Sequence, residues 1–535
     1  MKLNTAIKSS CQNDYPGADC VIITPPYSPS DSGPPLGPAV LRGYAKEHGI
    51  DVRCLDLNIR YLNLFREGRT VNTHIVGDQD KDYQTNTKAR EHFRDSLCLD
   101  TIDPLLLADS VDEILGLQCT FDEIEMALDK MEFEGFWEMF LDEHVFSTFK
   151  QPKVLGLSLM GPAQVLIALL ISRLVRVKWP GTAIIAGGSH VTLLNERIES
   201  DARYGFDIDA FLPGHSEHTL VELLGIEPPY YNIPGVLVAG KPFLPTCPLP
   251  PDFWVPPSFE QNELKLYPIE RLTLPIQLRR GCSYGKCTYC TYPKVEELTR
   301  NDVTKIALRL LPGLLIHSPI RISVKDSLLD LKAMKAFGSV IHELAPEVEW
   351  SCTTKLVQGM RRESMEEFHS NGLRTIEFGI ESIHLSTQKL FDKIQCLEKV
   401  EMVVDAACGA GISVVLNLIY GAPTETHNDA VNQLEWFLKM SEKWPLKISG
   451  SHNLLEINYG SPLADSEFIQ ASLTGPWAFS LSWKAPKWRS KFRSEMERIG
   501  FLHPITNINR LETIEEIELI AINGNTYDLK KEVIT

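Results

Sequence analysis

The chain has 535 residues, 44% apolar and 23% charged, and its 53 Lys and Arg against 70 Asp and Glu leave a formal net charge of −17. The length predicts two to four domains and the composition is that of an ordinary globular protein. The acidic balance argues against a nucleic-acid backbone or an anionic membrane as main partner, because either requires a basic face to displace counterions.

The first twenty residues contain no apolar core and do not read as a signal peptide. The longest apolar run, 165–175, is interrupted by Ser172 and Arg173 and falls short of a membrane span. Twelve cysteines in a large chain without a secretory start predict reduced thiols and a cytoplasmic location.

A short β-branched run at 19–24, closed by Pro25 and Pro26, predicts a buried strand. A helix over 39–48 and a second strand over 50–56 complete a β-α-β unit. Residues 58–150 lose the strand pattern and become charged and helical, notably over 120–139, which predicts a helical insertion. Strands at 153–158, 182–188 and 211–214 alternate with helices at 164–177 and 217–224, so residues 1–225 predict a doubly wound parallel sheet. Residues 226–270 are proline-rich and weakly periodic, and predict a linker wrapped on the surface. From Leu274 the alternation resumes, with strands at 321–325, 348–353, 374–379, 412–419 and 447–453. Six β/α units over 271–465 predict a partial (β/α)6 TIM-like barrel whose active site faces the carboxyl ends of its strands. Residues 466–535 form a C-terminal, α-rich extension in which Trp477, Trp483 and Trp488 stand among basic residues. They predict a packing cap on the barrel, or alternatively a cover for an anionic substrate.

The sharpest chemical signal is C-x4-C-x2-C at Cys282, Cys287 and Cys290, in a loop after the first barrel strand. Three soft thiolates from one loop suit an iron-sulfur cluster and would leave one iron of a [4Fe-4S] cube without a protein ligand. The same cysteines could serve a zinc knuckle, but a structural zinc requires a fourth ligand and none stands nearby in the sequence.

This loop and the motifs after it resemble the radical S-adenosylmethionine (SAM) superfamily, although the usual first gap there is one residue shorter. The resemblance implies that the three cysteines hold a [4Fe-4S] cluster and that S-adenosyl-L-methionine binds the open iron. It also implies that Tyr289 lies near the adenine, Asp326 near the methionine end and Glu381 with Ser382 at the ribose, and that Gly421 lies in a turn along the adenine. The amino-terminal sheet resembles the Rossmann-like cobalamin-binding domain that precedes many such enzymes, on Pro26, Ser158, Gly187, Gly188, Gly214 and Glu217 at successive strand ends. The D-x-H-x-x-G motif of other cobalamin proteins is absent, so a corrinoid would be held without that histidine.

Together these resemblances imply a cobalamin-dependent methyltransferase acting on an unactivated carbon of a small-molecule or peptide natural product. It would use one SAM as methyl donor and another as source of a 5′-deoxyadenosyl radical, with an external electron donor such as flavodoxin or ferredoxin. No residue of this chain stands out as a catalytic acid or base. Non-methylating radical chemistry (rearrangement, dehydrogenation or crosslinking) and a non-enzymatic cobalamin or redox sensor are the alternatives.

Overall fold

The computed structural model describes residues 18–26, 33–66 and 120–466, apart from 269–271 and 358, with scattered positions in 88–97 and 469–496. Two parallel sheets organise them. The first comprises β1 (Cys20–Thr24), β2 (Val52–Asp56), β3 (Val154–Ser158), β4 (Ala183–Gly187) and β5 (Ala210–Leu212), in the order β2-β1-β3-β4-β5. Its central strands are buried along nearly their whole length, as continuous apolar runs require when helices cover both faces. Helices Leu36–Glu47 and Glu217–Leu224 pack on one face, and Val165–Lys178 with Phe121–Glu134 on the other. The strand order reverses between β1 and β3, and a doubly wound sheet opens a crevice at such a reversal, above its carboxyl ends.

The second sheet runs in chain order: β6 (Thr273–Ile276), β7 (Arg321–Val324), β8 (Glu349–Thr354), β9 (Leu373–Glu381), β10 (Ser413–Tyr420) and β11 (Ile448–Leu454). All neighbours are parallel, and β6 and β11 remain edges, so the sheet is an open half-barrel. β7 and β8 alternate half-buried with buried residues throughout. The buried set (Ile322, Val324, Trp350, Cys352, Ile376, Phe378, Val414, Leu416) joins the helices in one core, leaving a polar concave face on the other side.

Three expectations change. The helix predicted over 120–139 is two helices, Phe121–Glu134 and Phe136–Leu141, because Gly135 adopts φ 79° and ends the first. Most of the rest of the predicted insertion lies outside the described residues. The proline-rich segment is no surface linker: Trp254, Phe259, Leu264 and Tyr267 are buried in the half-barrel core, and Pro256 abuts both Gly43 and Gly313. Low periodicity there reflects isolated aromatic anchors rather than a solvated chain. Most of the C-terminal extension lies outside the described residues. Within it, Trp477 is buried against Tyr204 and Phe211 of the first sheet's domain, at ring separations of 4.9 and 6.4 Å. Trp477 thus packs on that domain, whereas Trp488 packs against the half-barrel core as the expected cap does. Among the described residues no helix is long and apolar enough to cross a membrane.

Candidate active site at the seam of two sheets

β6 is only four residues long, and the loop after it carries Cys282, Cys287 and Cys290 as half-buried free thiols. The backbone approaching Cys282 is pinned from several sides. Asp326, just past β7, accepts from the Leu278 N–H at 2.7 Å and also from that of Arg279. Thr299 Oγ1 accepts from the Arg280 N–H at 2.9 Å, and Glu296 accepts from the Gly281 N–H at 2.8 Å. Gly281 has φ 73°, and a Cβ there would lie 2.6 Å from the backbone of Leu298, so only glycine fits. Burial pushes the Asp326 carboxyl up to about 7 and leaves Oδ2 without a hydrogen bond among the described residues.

Burial also raises the Cys287 and Cys290 thiols, while the Lys393 ammonium opposes that rise. Among the described residues no three His, Cys, Asp or Glu side chains converge as they would around a single metal ion.

Glu381 ends β9, where the register with β10 shifts, and its φ of 63° is left-handed for a non-glycine residue. Such backbone costs roughly 1–3 kcal/mol and persists only where its surroundings impose it. Here Lys393 Nζ bonds Glu381 Oε1 at 2.8 Å, and both side chains are about nine-tenths buried. A Cβ on Gly379 would sit 2.5 Å from that ammonium, so the glycine makes room for the pair. The Tyr289 phenol lies within the electrostatic reach of the same carboxylate, and its ring meets Phe391 edge-on at 4.9 Å. Burial beside Glu381 pushes the Tyr289 phenol well above its ordinary range.

Tyr289, Glu381 and the cysteine loop are therefore brought together. Ser382 is fully buried and turned inward, where its hydroxyl accepts from the His384 N–H at 3.2 Å. Gly421, φ 82°, follows β10, and its N–H donates at 2.5 Å to Glu425, whose carboxyl burial lifts to about 7.

Across the seam a cavity of about 1050 Å³, counting its open mouth, lies above the carboxyl ends of β1, β3, β4 and β5. Ser158, Gly187, Gly188, Gly214 and Glu217 all line it; Pro26 is buried and does not. Nothing stands within 4 Å of where a Cβ would project from Gly37 or Gly214, so glycine widens the cavity there. Its far wall is built by the half-barrel, from Gln277, Arg280, Tyr292, Glu296 and Lys325.

Two polar contacts close the seam. Arg280 forms an ion pair with Glu217, both side chains only 4% exposed, and lies 4.5 Å from the Trp254 ring. His215 Nε2 stands 3.3 Å from Glu296, the carboxylate that also holds Gly281. Arg280, Glu296, Lys325 and Lys393 were not singled out by sequence. A charged residue among many carries no local signal; tertiary packing brings Arg280, Glu296 and Lys325 to one cavity wall and Lys393 onto Glu381 within the half-barrel.

Residues 276–437 match the family model of the Radical SAM superfamily. The oxygen-independent coproporphyrinogen III oxidase of Helicobacter pylori strain J99 is 31% identical over 107 residues, a match spanning 20% of this chain and 23% of that relative. Among solved structures, the chain resembles the radical SAM methyltransferase TsrM from Kitasatospora setae, described with cobalamin and a [4Fe-4S] cluster bound. The TM-score is 0.56 and the identity 14%, over 88% of this chain and 84% of that one. It also resembles the cobalamin-dependent SAM radical enzyme OxsB, with a TM-score of 0.59 and 13% identity over 90% of this chain and 66% of that one. The family match falls on the half-barrel and its cysteine loop, so residues 276–437 form a Radical SAM domain within this chain.

Proposed function

We propose that this protein is a cobalamin-dependent radical SAM methyltransferase acting on an unactivated carbon of a small molecule or peptide. The observation that carries the reading is that one loop, Gln277 to Glu296, supplies both the three cysteines and the wall of the large cavity on the amino-terminal sheet. A radical source and a second cofactor in those two places would face one another across a short seam.

The residues fit both groups. Cys282, Cys287 and Cys290 would ligate a [4Fe-4S] cluster, with Lys393 offsetting negative charge beside it. Tyr289, Glu381 and Gly421 would border S-adenosyl-L-methionine, with Ser382 turned inward behind Glu381 and Asp326 holding the loop backbone rather than reaching outward. Ser158, Gly187, Gly188, Gly214 and Glu217, with Pro26 behind them, would cradle a corrinoid in the glycine-widened cavity. When bound, the reduced cluster supplies the electron that releases a 5′-deoxyadenosyl radical from SAM, and the corrinoid supplies the transferred methyl group. The chain's own residues orient these groups and exclude water.

The corresponding domain division is a cobalamin-binding unit over 1–225, a tethering segment over 226–270, the radical unit over 271–465 and an extension over 466–535. The electron would come from an external donor of flavodoxin or ferredoxin type, and the protein would act in the cytoplasm.

A second reading, radical chemistry without methyl transfer, is favoured by the equal likeness to OxsB, which is described as a radical enzyme rather than a methyltransferase. Anaerobic reconstitution with iron, sulfide and hydroxocobalamin separates the readings. Methyl transfer gives S-adenosylhomocysteine and 5′-deoxyadenosine together with a methylated product, whereas the rival gives 5′-deoxyadenosine alone. A reconstituted protein that leaves SAM intact after reduction refutes both and favours a sensor.

A further inference from the structure

The concave face of the half-barrel carries a polar constellation apart from the cluster loop, one member of which, Lys325, also lines the amino-terminal cavity. Thr353 of β8 stands opposite Glu377 of β9 in the parallel register, and Lys325, one residue past β7, continues the ladder through a 2.8 Å hydrogen bond to the Ile276 carbonyl. Asn417 of β10 lies one step further up the same face. Glu377 is the hub: Thr353 donates to its Oε2 at 3.2 Å and Asn417 Nδ2 to its Oε1 at 2.6 Å.

Two groups in this constellation lack the partner their chemistry demands. Asn417 Oδ1 is buried and accepts no hydrogen bond among the described residues. The Lys325 ammonium makes no hydrogen bond or ion pair among them either, although Glu377 acts on it electrostatically and desolvation lowers its pKa. The Lys325 side chain is accessible yet surrounded by protein, as expected inside an open cavity. A buried acceptor without a donor is costly. A ligand that brings an N–H donor to Asn417 and an anionic oxygen to Lys325 satisfies both groups.

We propose that this face binds the substrate and that the substrate is an α-amino acid, its carboxylate paired with Lys325 and its ammonium held between Glu377 and Asn417 Oδ1. The proposal rests on reading the chain as a radical SAM enzyme. The charge order decides the class. One cation beside one carboxylate matches a zwitterion, whereas a phosphate or sulfate ester would be repelled by Glu377 and an apolar chain would leave both groups unpaired. Glu377 lies four residues before Glu381 on one strand, about 13 Å at the rise of a β-strand, so an amino acid anchored by its α-substituents would extend its side chain toward the cluster end. Gln277 and Lys325 line the amino-terminal cavity as well, so this floor opens directly onto it.

The test is equilibrium dialysis of the reconstituted full-length protein against a mixture of the twenty L-α-amino acids, with the retained species identified by mass spectrometry. At least one is retained by the wild type, and Lys325→Met and Glu377→Gln each weaken its Kd at least tenfold while iron content and circular dichroism stay at wild-type values. Its methyl ester, lacking the anionic oxygen, binds the wild type at least tenfold more weakly and loses nothing further in Lys325→Met. Retention of no amino acid, or an ester that binds as well as the acid, overturns the proposal. A protein that binds in this pattern but fails to cleave SAM refutes the radical reading and leaves the binding site standing.

Discussion

The contact that joins the two domains at the cluster loop gives the most decisive perturbation. Arg280 and Glu217 are each 4% exposed, and Arg280 stands two residues before Cys282. Replacing Glu217 with Leu strands a buried guanidinium, a loss of roughly 3–5 kcal/mol for a broken buried pair. The Trp254 ring, 4.5 Å from the guanidinium, remains in the variant. A desolvated cation over an aromatic ring is worth about 2 kcal/mol, which places the expected loss at the lower end, about 3 kcal/mol.

For a unit of 150–250 residues each kcal/mol moves Tm by about 2–4 °C, so melting of the half-barrel falls by roughly 6–12 °C. The double variant Glu217→Leu with Arg280→Met removes both charges, and a hydrophobic replacement of a buried pair is neutral or stabilising. Its Tm returns to within about 2–4 °C of wild type, the equivalent of about 1 kcal/mol. Calorimetry on the reconstituted protein, with iron content measured in parallel, reads both effects. If the single variant melts like wild type, or if the two substitutions add, the pair does not hold the seam and the reasoning fails.

Other outcomes follow from the same geometry. Because burial lifts Asp326 to about 7 from an ordinary value near 3.8, the folded state favours its protonated form. Its contribution is fully present below pH 3.8 and is lost as pH rises through 7, by an amount on the order of 4 kcal/mol. Urea denaturation of Asp326→Asn across pH 4–8 is therefore flatter than that of wild type, and parallel curves would count against a buried, raised carboxyl. Gly281→Ala combines a left-handed backbone with a clash at 2.6 Å, so iron retained after reconstitution drops at least severalfold while the amino-terminal sheet still folds. Lys393→Met strands Glu381 and should shift the midpoint potential of the reconstituted cluster to a more negative value, with Lys393→Arg restoring it; spectroelectrochemistry reads this directly. Gly37→Leu projects a side chain into open space within the cavity and lowers retention of hydroxocobalamin on a desalting column without lowering Tm.

The strands were legible because their information is local. Apolar runs at 19–24, 153–158 and 182–188 are short and closed by turn residues, and β1, β3 and β4 fall within one or two residues of those limits. Helix 217–224 coincides with its expectation end to end. The three cysteines stood out for another reason: three thiolates at close spacing are rare enough to suggest a chemistry, whereas Glu381 was picked out only by its place in a motif resembling the radical SAM family. The proline-rich segment misled because Trp254, Phe259 and Tyr267 have no period, and burial of single anchors leaves no mark on a window average.

By itself, then, the sequence determined two parallel α/β units, their order, and the loop that holds the thiols, since periodicity and residue chemistry are properties of neighbours in the chain. Only the tertiary structure decided what faces that loop. Glu217 meets Arg280 across 63 residues, His215 meets Glu296 across 81, and Lys393 folds back onto Glu381 beside the cysteines. These partners meet because hydrophobic burial docks the two sheets with their carboxyl ends toward one seam, and the electrostatic pairing of distant charges is then fixed by where that packing leaves them.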